Sequence, residues 1–228
     1  MQITTTKLTR AAGLAAVAAG TLFIAVQVKH PEITLDFVQG TQWKVRQGMK
    51  IAMAVLALVG ITGMYLRQVR RIGLLGLLGW LLFSLGYLAM LCVEAIGLVV
   101  IPVIARSSSE YVDGVVAVAT NGSSDADLGL FGLLNAVQGL GYIVGGLVFG
   151  IALYRAGVLP RWASALLAVA ALATLVPLFL PVANQRLFAV PNAIALIGLG
   201  WSLWREQRAA AVKPVTTVDA RLDPAGAR

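Results

Sequence analysis

The stretch IGLLGLLGWLLFSLGYLAMLCVEAIGLVVIPVIA, Ile72 to Ala105, decides the fold. Its only charge is Glu94, so the uncharged run Ile72 to Val93 is already 22 residues long, and about 20 apolar residues cross a hydrocarbon core. As one helix the whole stretch would measure about 51 Å at 1.5 Å per residue. It must therefore tilt, protrude or break near Pro102, which has no N–H to give a helix. The rest of the chain matches this opening. Its 228 residues are 59% hydrophobic and 12% charged, with a mean hydropathy of +0.85, whereas soluble domains carry about 25% charged residues. The 24 glycines and eight prolines suit helices packed in lipid better than helices in water. The class is an all-α, polytopic membrane protein.

The same length criterion marks five more spans. They are Ala11 to Val28, Ile51 to Leu66 with a start near Trp43, Leu128 to Tyr154, Trp162 to Gln185, and Leu187 to Trp204. Lys7 and Arg10 before the first span give it the look of a signal peptide, but no small-x-small cleavage site follows, so it is read as a retained helix. Residues 1–208 then form a six-helix transmembrane domain, and 209–228, polar and containing Pro214 and Pro224, form a disordered cytoplasmic tail.

A net charge of +8 invites a nucleic-acid reading until the basic residues are located. Most flank apolar runs, which indicates topology and no nucleic acid. Lys7, Arg10, Arg67, Arg70, Arg71, Arg155, Arg161, Arg205, Arg208 and Lys213 fall on one side. The smaller set is Lys29, Lys44, Arg46, Lys50, Arg106 and Arg186. Basic residues accumulate inside, so both termini are expected in the cytoplasm, and the expected location is a bacterial cell (inner) membrane. Lys44, Arg46 and Lys50 are expected to snorkel toward headgroups. Two segments face outward: His30 to Gln47, lying at the interface, and Arg106 to Asp127, a Ser/Gly/Asp-rich loop around Val115 to Ala119. Asp125 or Asp127 is placed to cap the fourth span.

Between the fourth and fifth spans lies Phe149-Gly150-Ile151-Ala152-Leu153-Tyr154-Arg155-Ala156-Gly157-Val158-Leu159-Pro160-Arg161-Trp162. A glycine-rich helix ends in Tyr-Arg, turns tightly, and Leu-Pro-Arg-Trp opens the next helix. This hairpin resembles that of an uncharacterised bacterial, largely actinobacterial, six-span membrane protein family catalogued only as a domain of unknown function. The resemblance implies a six-span fold and a membrane compartment, and no activity. Locally, Gly157 suits a left-handed helix end and Pro160 the first turn of the next helix.

Glu94, between the outer third of the membrane and its outer interface, is the leading functional candidate, because an acid inside hydrocarbon is expensive and needs a partner or water. The alternative is an interfacial carboxylate reaching water. Asn135, Gln138 and Tyr142 on the fourth span are spaced i, i+3, i+7 and share one face. Asn192, after Pro191 on the sixth span, falls at a similar depth. Together these residues predict a ligand-binding pocket in the outer half of the bundle, enclosed by the third, fourth and sixth spans. One cysteine, Cys92, and one histidine, His30, make no metal site, and nothing calls for a cofactor. Met90 and Cys92 are expected as core fillers. Gly141, Gly145, Gly146 and Gly150 form small-xxx-small pairs that serve internal packing or, alternatively, a homo-oligomer seam. The best functional reading is binding or transport of a small amphiphilic or lipid ligand from the bilayer. The alternatives are an intramembrane enzyme with Glu94 as acid or base, for example in terpenoid cyclisation, and a membrane subunit of a larger transporter.

Overall fold

A computed structural model describes residues 3–28, 31, 33–120, 122–176 and 189–212, with side chains as far as residue 206. The described residues are helical and contain no strand. The long elements are α1 (Thr5–Gln27), α3 (Thr41–Arg67), α4 (Gly73–Val99), α7 (Phe131–Ala156), α8 (Arg161–Ala173) and α9 (Val190–Val212). Three short ones, α2 (Leu35–Gln39), α5 (Ile101–Ile104) and α6 (Ser109–Ala119), gather at one end.

The long helices close a ring in which α1 lies beside α3, α3 beside α4, α4 beside α7, α7 beside α8, α8 beside α9, and α9 returns to α1. The tightest seam is α4 on α7, and its cause is glycine. A Cβ on Gly86 would sit 2.5 Å from the Tyr142 backbone nitrogen, and one on Gly141 would sit 2.7 Å from the Gly86 nitrogen. Backbone meets backbone there, which maximises the dispersion contact that holds helices together in lipid. Gly145 faces Phe83, and Gly146 and Gly150 face Ala171 and Ala168 of α8. The stripe is thus occupied within the chain.

The rings of Phe83, Tyr87, Tyr142 and Phe149 fill the centre of the bundle, with Ile61, Leu153, Leu196 and Leu199 around them. On the opposite face of α4, Leu74, Leu78, Leu81, Leu85 and Leu88 are exposed, Leu74 by 70%. Their spacing of three and four is a helical stripe, turned outward while glycines and aromatics turn inward. Water would not tolerate so long an apolar face on a monomer. Among the described residues four segments, Thr5–Gln27, Thr41–Arg67, Gly73–Ile104 (α4 with α5) and Phe131–Ala156, are long and apolar enough to cross a membrane. The described helices of the other two expected spans are α8, which ends at Ala173, and α9. The α-helix of the expected fifth span thus stops at Ala173, with a turn over 174–176. The residues of that span from 177 on, with Leu187, lie outside the described residues. So do His30 and most of the tail, although α9 itself runs past Ala209 to Val212.

Helix α3 starts at Thr41, so the expected early start near Trp43 holds. Of the three outcomes open to the long third stretch, the structure shows an interruption at Val100, just before Pro102, across which the backbone stays in the right-handed helical region (φ −93°, ψ −54°). The segment from Arg106 to Asp127 is not a plain loop. It holds α6, whose Val112 and Val115 are buried with Val116 beside them, an i, i+3, i+4 stripe. The polar Ser, Gly and Asp residues that suggested a loop lie at its flanks and on its outer face. Nor does an aspartate cap α7. The Asp127 carboxylate accepts from the Gly129 N–H at 2.9 Å, and α7 begins beyond it with no side-chain cap. After α7, Gly157 takes the left-handed conformation at φ 64°. Pro160 stands one step outside α8 at its N-cap, and Arg161 lies over the Tyr154 ring at 5.7 Å.

The short helices form a cap. Val38 of α2, Trp43, Val93, Ile101, Val112, Val115, Leu128 and Phe131 make a second apolar cluster over that end of the ring. Arg106 donates to the Gln39 side chain at 3.0 Å, tying the far end of α5 to α2.

Candidate ligand-binding site

Glu94 is 8% exposed, in the last turns of α4 and just below the cap. Unpaired there, its carboxylate would lose several kcal/mol of hydration. Lys50 of α3 answers it: the Nζ to Oε2 distance is 3.1 Å, with the side chains 23% and 11% exposed respectively. Lys50 therefore does not snorkel outward, because its helix face points at α4. Arg46 also turns inward, donating to the Val26 and Val28 carbonyls at 2.7 and 3.1 Å. Those oxygens end α1 and have no partner further along the helix. Only Lys44 of the three is exposed.

One turn before Lys50 on α3 lies Gln47, 3% exposed, with its amide nitrogen against Gly97. A side chain at position 97 would occupy that amide's place. Trp43, a further turn back, donates its indole N–H to the Gly97 carbonyl at 2.7 Å. Trp43, Gln47 and Lys50 are spaced i, i+4, i+7, so α3 presents an indole, an amide and an ammonium in one line. From α7 come Asn135, whose amide donates to the Val118 carbonyl of α6 at 3.2 Å, and Gln138. The side-chain oxygens of Gln47 and Gln138 are buried and have no hydrogen-bond partner among the described residues.

These groups surround a cavity of about 230 Å³ between the ring and the cap. Its polar side is Glu94, Lys50, Gln47, Asn135 and Gln138, with Gln27 and Thr120; its apolar side includes Val26, Ile33, Val93, Ile101, Val115 and Phe131. The volume far exceeds the roughly 10–15 Å³ that admits one water. It lies below the roughly 300–1,000 Å³ usual for drug-sized ligands.

The expected site residues divide into two groups. Glu94, Asn135 and Gln138 share the cavity; Tyr142 and Asn192 do not line it. Seven residues of helix advance about 10 Å, so Tyr142 shares the face of Asn135 but lies that much deeper. It packs on Phe83 and Tyr87 at ring separations of 5.7 and 5.9 Å. Asn192, fully buried on α9, faces the hydroxyls of Tyr87 and Tyr142, without the alignment of a closed hydrogen bond. The wall expected from the sixth span is supplied instead by α3, α6 and the end of α1. Lys50, Gln47 and Trp43 were not among the expected site residues, although their i, i+4, i+7 spacing is visible in the sequence. Cys92 is exposed and fills no core, while Met90 packs partly against it. Among the described residues no three His, Cys, Asp or Glu side chains gather where a metal ion would fit.

Fold and site together define an all-helical protein of membrane type, with a capped and partly polar cavity at one end of its ring. Neither family models, nor curated proteins, nor solved structures yield a match to the chain.

Proposed function

We propose that this protein binds or carries a small amphiphilic ligand in the cavity beneath the cap. The observation that carries this reading is the near-buried Lys50–Glu94 pair beside two unpartnered amide oxygens, with an apolar wall opposite. A buried ion pair seldom stabilises a fold more than apolar residues of the same volume. Each buried amide oxygen left open costs about 1–3 kcal/mol. Two such oxygens belong to residues that line the same cavity as the ion pair, where the polar head of a ligand would meet them. Acid–base chemistry at Glu94 has less support, since Lys50 already engages the carboxylate and no second acid lines the cavity among the described residues.

The proposal extends to topology. Six spans, with α8 and α9 belonging to the fifth and sixth, would put both termini in the cytoplasm and turn the cap outward from a bacterial inner membrane. The distribution of Lys and Arg supports this layout, and the Tyr154–Trp162 hairpin resemblance fits it. A homo-oligomer through the α7 glycines is not included, because α4 and α8 cover them. Mass spectrometry of small molecules retained by the purified protein tests the function. A ligand held by the wild type and lost from Glu94→Gln and Gln138→Leu is expected; identical retention by all three removes the proposal.

A further inference from the structure

From the hydrogen-bond inventory of the cavity we infer the head of its ligand: uncharged and rich in hydroxyl groups, as in a sugar or glycerol amphiphile. This rests on the binding role proposed above and adds the chemistry that selects the ligand. The charged side chains lining the cavity are Lys50 and Glu94, and they neutralise each other at 3.1 Å. A charged head would enter without an uncompensated opposite charge to meet it, and would lose its hydration. Three lining donors are committed. The Trp43 N–H goes to the Gly97 carbonyl, the Asn135 amide to the Val118 carbonyl, and the Thr120 hydroxyl to the Val116 carbonyl. The amide nitrogens of Gln27, Gln47 and Gln138 bond nothing among the described residues, and Lys50 gives Glu94 a single hydrogen bond. Hydroxyl groups, which accept as well as donate, meet these open donors without bringing a charge.

The acceptors remain open. Gln47 and Gln138 each present a buried side-chain oxygen with no partner among the described residues, and Glu94 bonds Lys50 through Oε2 alone. A group that donates several hydrogen bonds and carries no charge satisfies all three acceptors, and a polyol does so. The indole of Trp43 and the ring of Phe131 line the same space, and aromatic faces suit the C–H faces of such a head. The remaining wall, Val26, Ile33, Val93 and Val115, suits the start of an alkyl chain. A volume of about 230 Å³ holds the head and leaves the tail to the bilayer.

The test uses the full chain in lipid nanodiscs, titrated with hexyl β-D-glucoside, hexanoate and hexylammonium, with protein-free nanodiscs subtracted for partition. Saturable binding of the glucoside alone is expected. Gln47→Leu and Gln138→Leu should each weaken it about fivefold, the worth of one neutral hydrogen bond. Both substitutions remove a buried unpartnered amide oxygen, and far-ultraviolet circular dichroism confirms that each variant is folded before its affinity is read. Tighter saturable binding of a charged probe, weakened in these variants, overturns the head assignment and leaves the binding role intact. Glucoside binding that ignores both substitutions overturns the assignment as well. Saturable binding by none of the three overturns the assignment and the binding role together.

Discussion

Breaking the Lys50–Glu94 pair is the perturbation whose size follows most directly from the geometry. At 3.1 Å two unit charges attract by about 5 kcal/mol at an effective dielectric of about 20. Desolvation of the two ions consumes most of that gain. The pair thus adds little net stability, yet removal of one member leaves the other stranded. Losing one partner of a fully buried pair costs about 3–5 kcal/mol. With Glu94 11% and Lys50 23% exposed as side chains, the lower end applies. Lys50→Met, which leaves the more buried carboxylate alone, should cost about 3 kcal/mol, and Glu94→Gln about 2, because a lysine has a long stem with which to reach water. The double variant should cost only about 1 kcal/mol, so the coupling energy is about 4 kcal/mol. Reversible unfolding by sodium dodecyl sulfate in mixed micelles, followed by far-ultraviolet circular dichroism, reads all four corners of the cycle. Single costs below 1 kcal/mol that simply add in the double variant would refute the assignment of a coupled, buried pair.

Four further outcomes are expected. Gly86→Val drives a side chain into the Tyr142 backbone and should prevent the α4–α7 seam from forming, whereas Gly139→Ala, with nothing within 4 Å of the new Cβ, should be neutral or stabilising by about 0.5–1 kcal/mol; thermal denaturation separates them. Asn135→Leu frees the Val118 carbonyl, so amide exchange of α6 should rise while that of α4 stays unchanged, as hydrogen-exchange mass spectrometry will show. Arg46→Met strips the α1 end of two hydrogen bonds from a charged donor and should cost about 2 kcal/mol in the same unfolding assay. Under the proposed topology, Ser123→Cys in a Cys92→Ala background should be labelled by an impermeant maleimide added outside intact cells, and labelling only after lysis would invert the orientation.

Some of the architecture was written plainly along the chain. Long uncharged runs can bury their backbone polar groups in lipid only as helices, so helix identity followed from length and composition without reference to any neighbour. Gly157 as a helix end and the interruption near Pro102 were equally local, since each depends on one residue's own backbone chemistry. Even the shared face of Asn135 and Gln138 came from the 3.6-residue period alone.

Partnership was a different matter. A periodic pattern states which way a residue faces on its own helix, but not which helix stands opposite or at what height. That is why Lys50 read as a snorkelling lysine until α3 was set against α4, and why Tyr142 and Asn192 were grouped with an acid that lies nearer the cap. The apolar stripe of α6 was similarly lost among polar neighbours until a surface existed for it to cover. Composition and periodicity are sums over nearby residues, so the sequence by itself determined the solvent, the helices and their faces. The pairing of Lys50 with Glu94, the open amides beside them and the cap above depend on distances between helices far apart in the chain, and only the tertiary packing decided those.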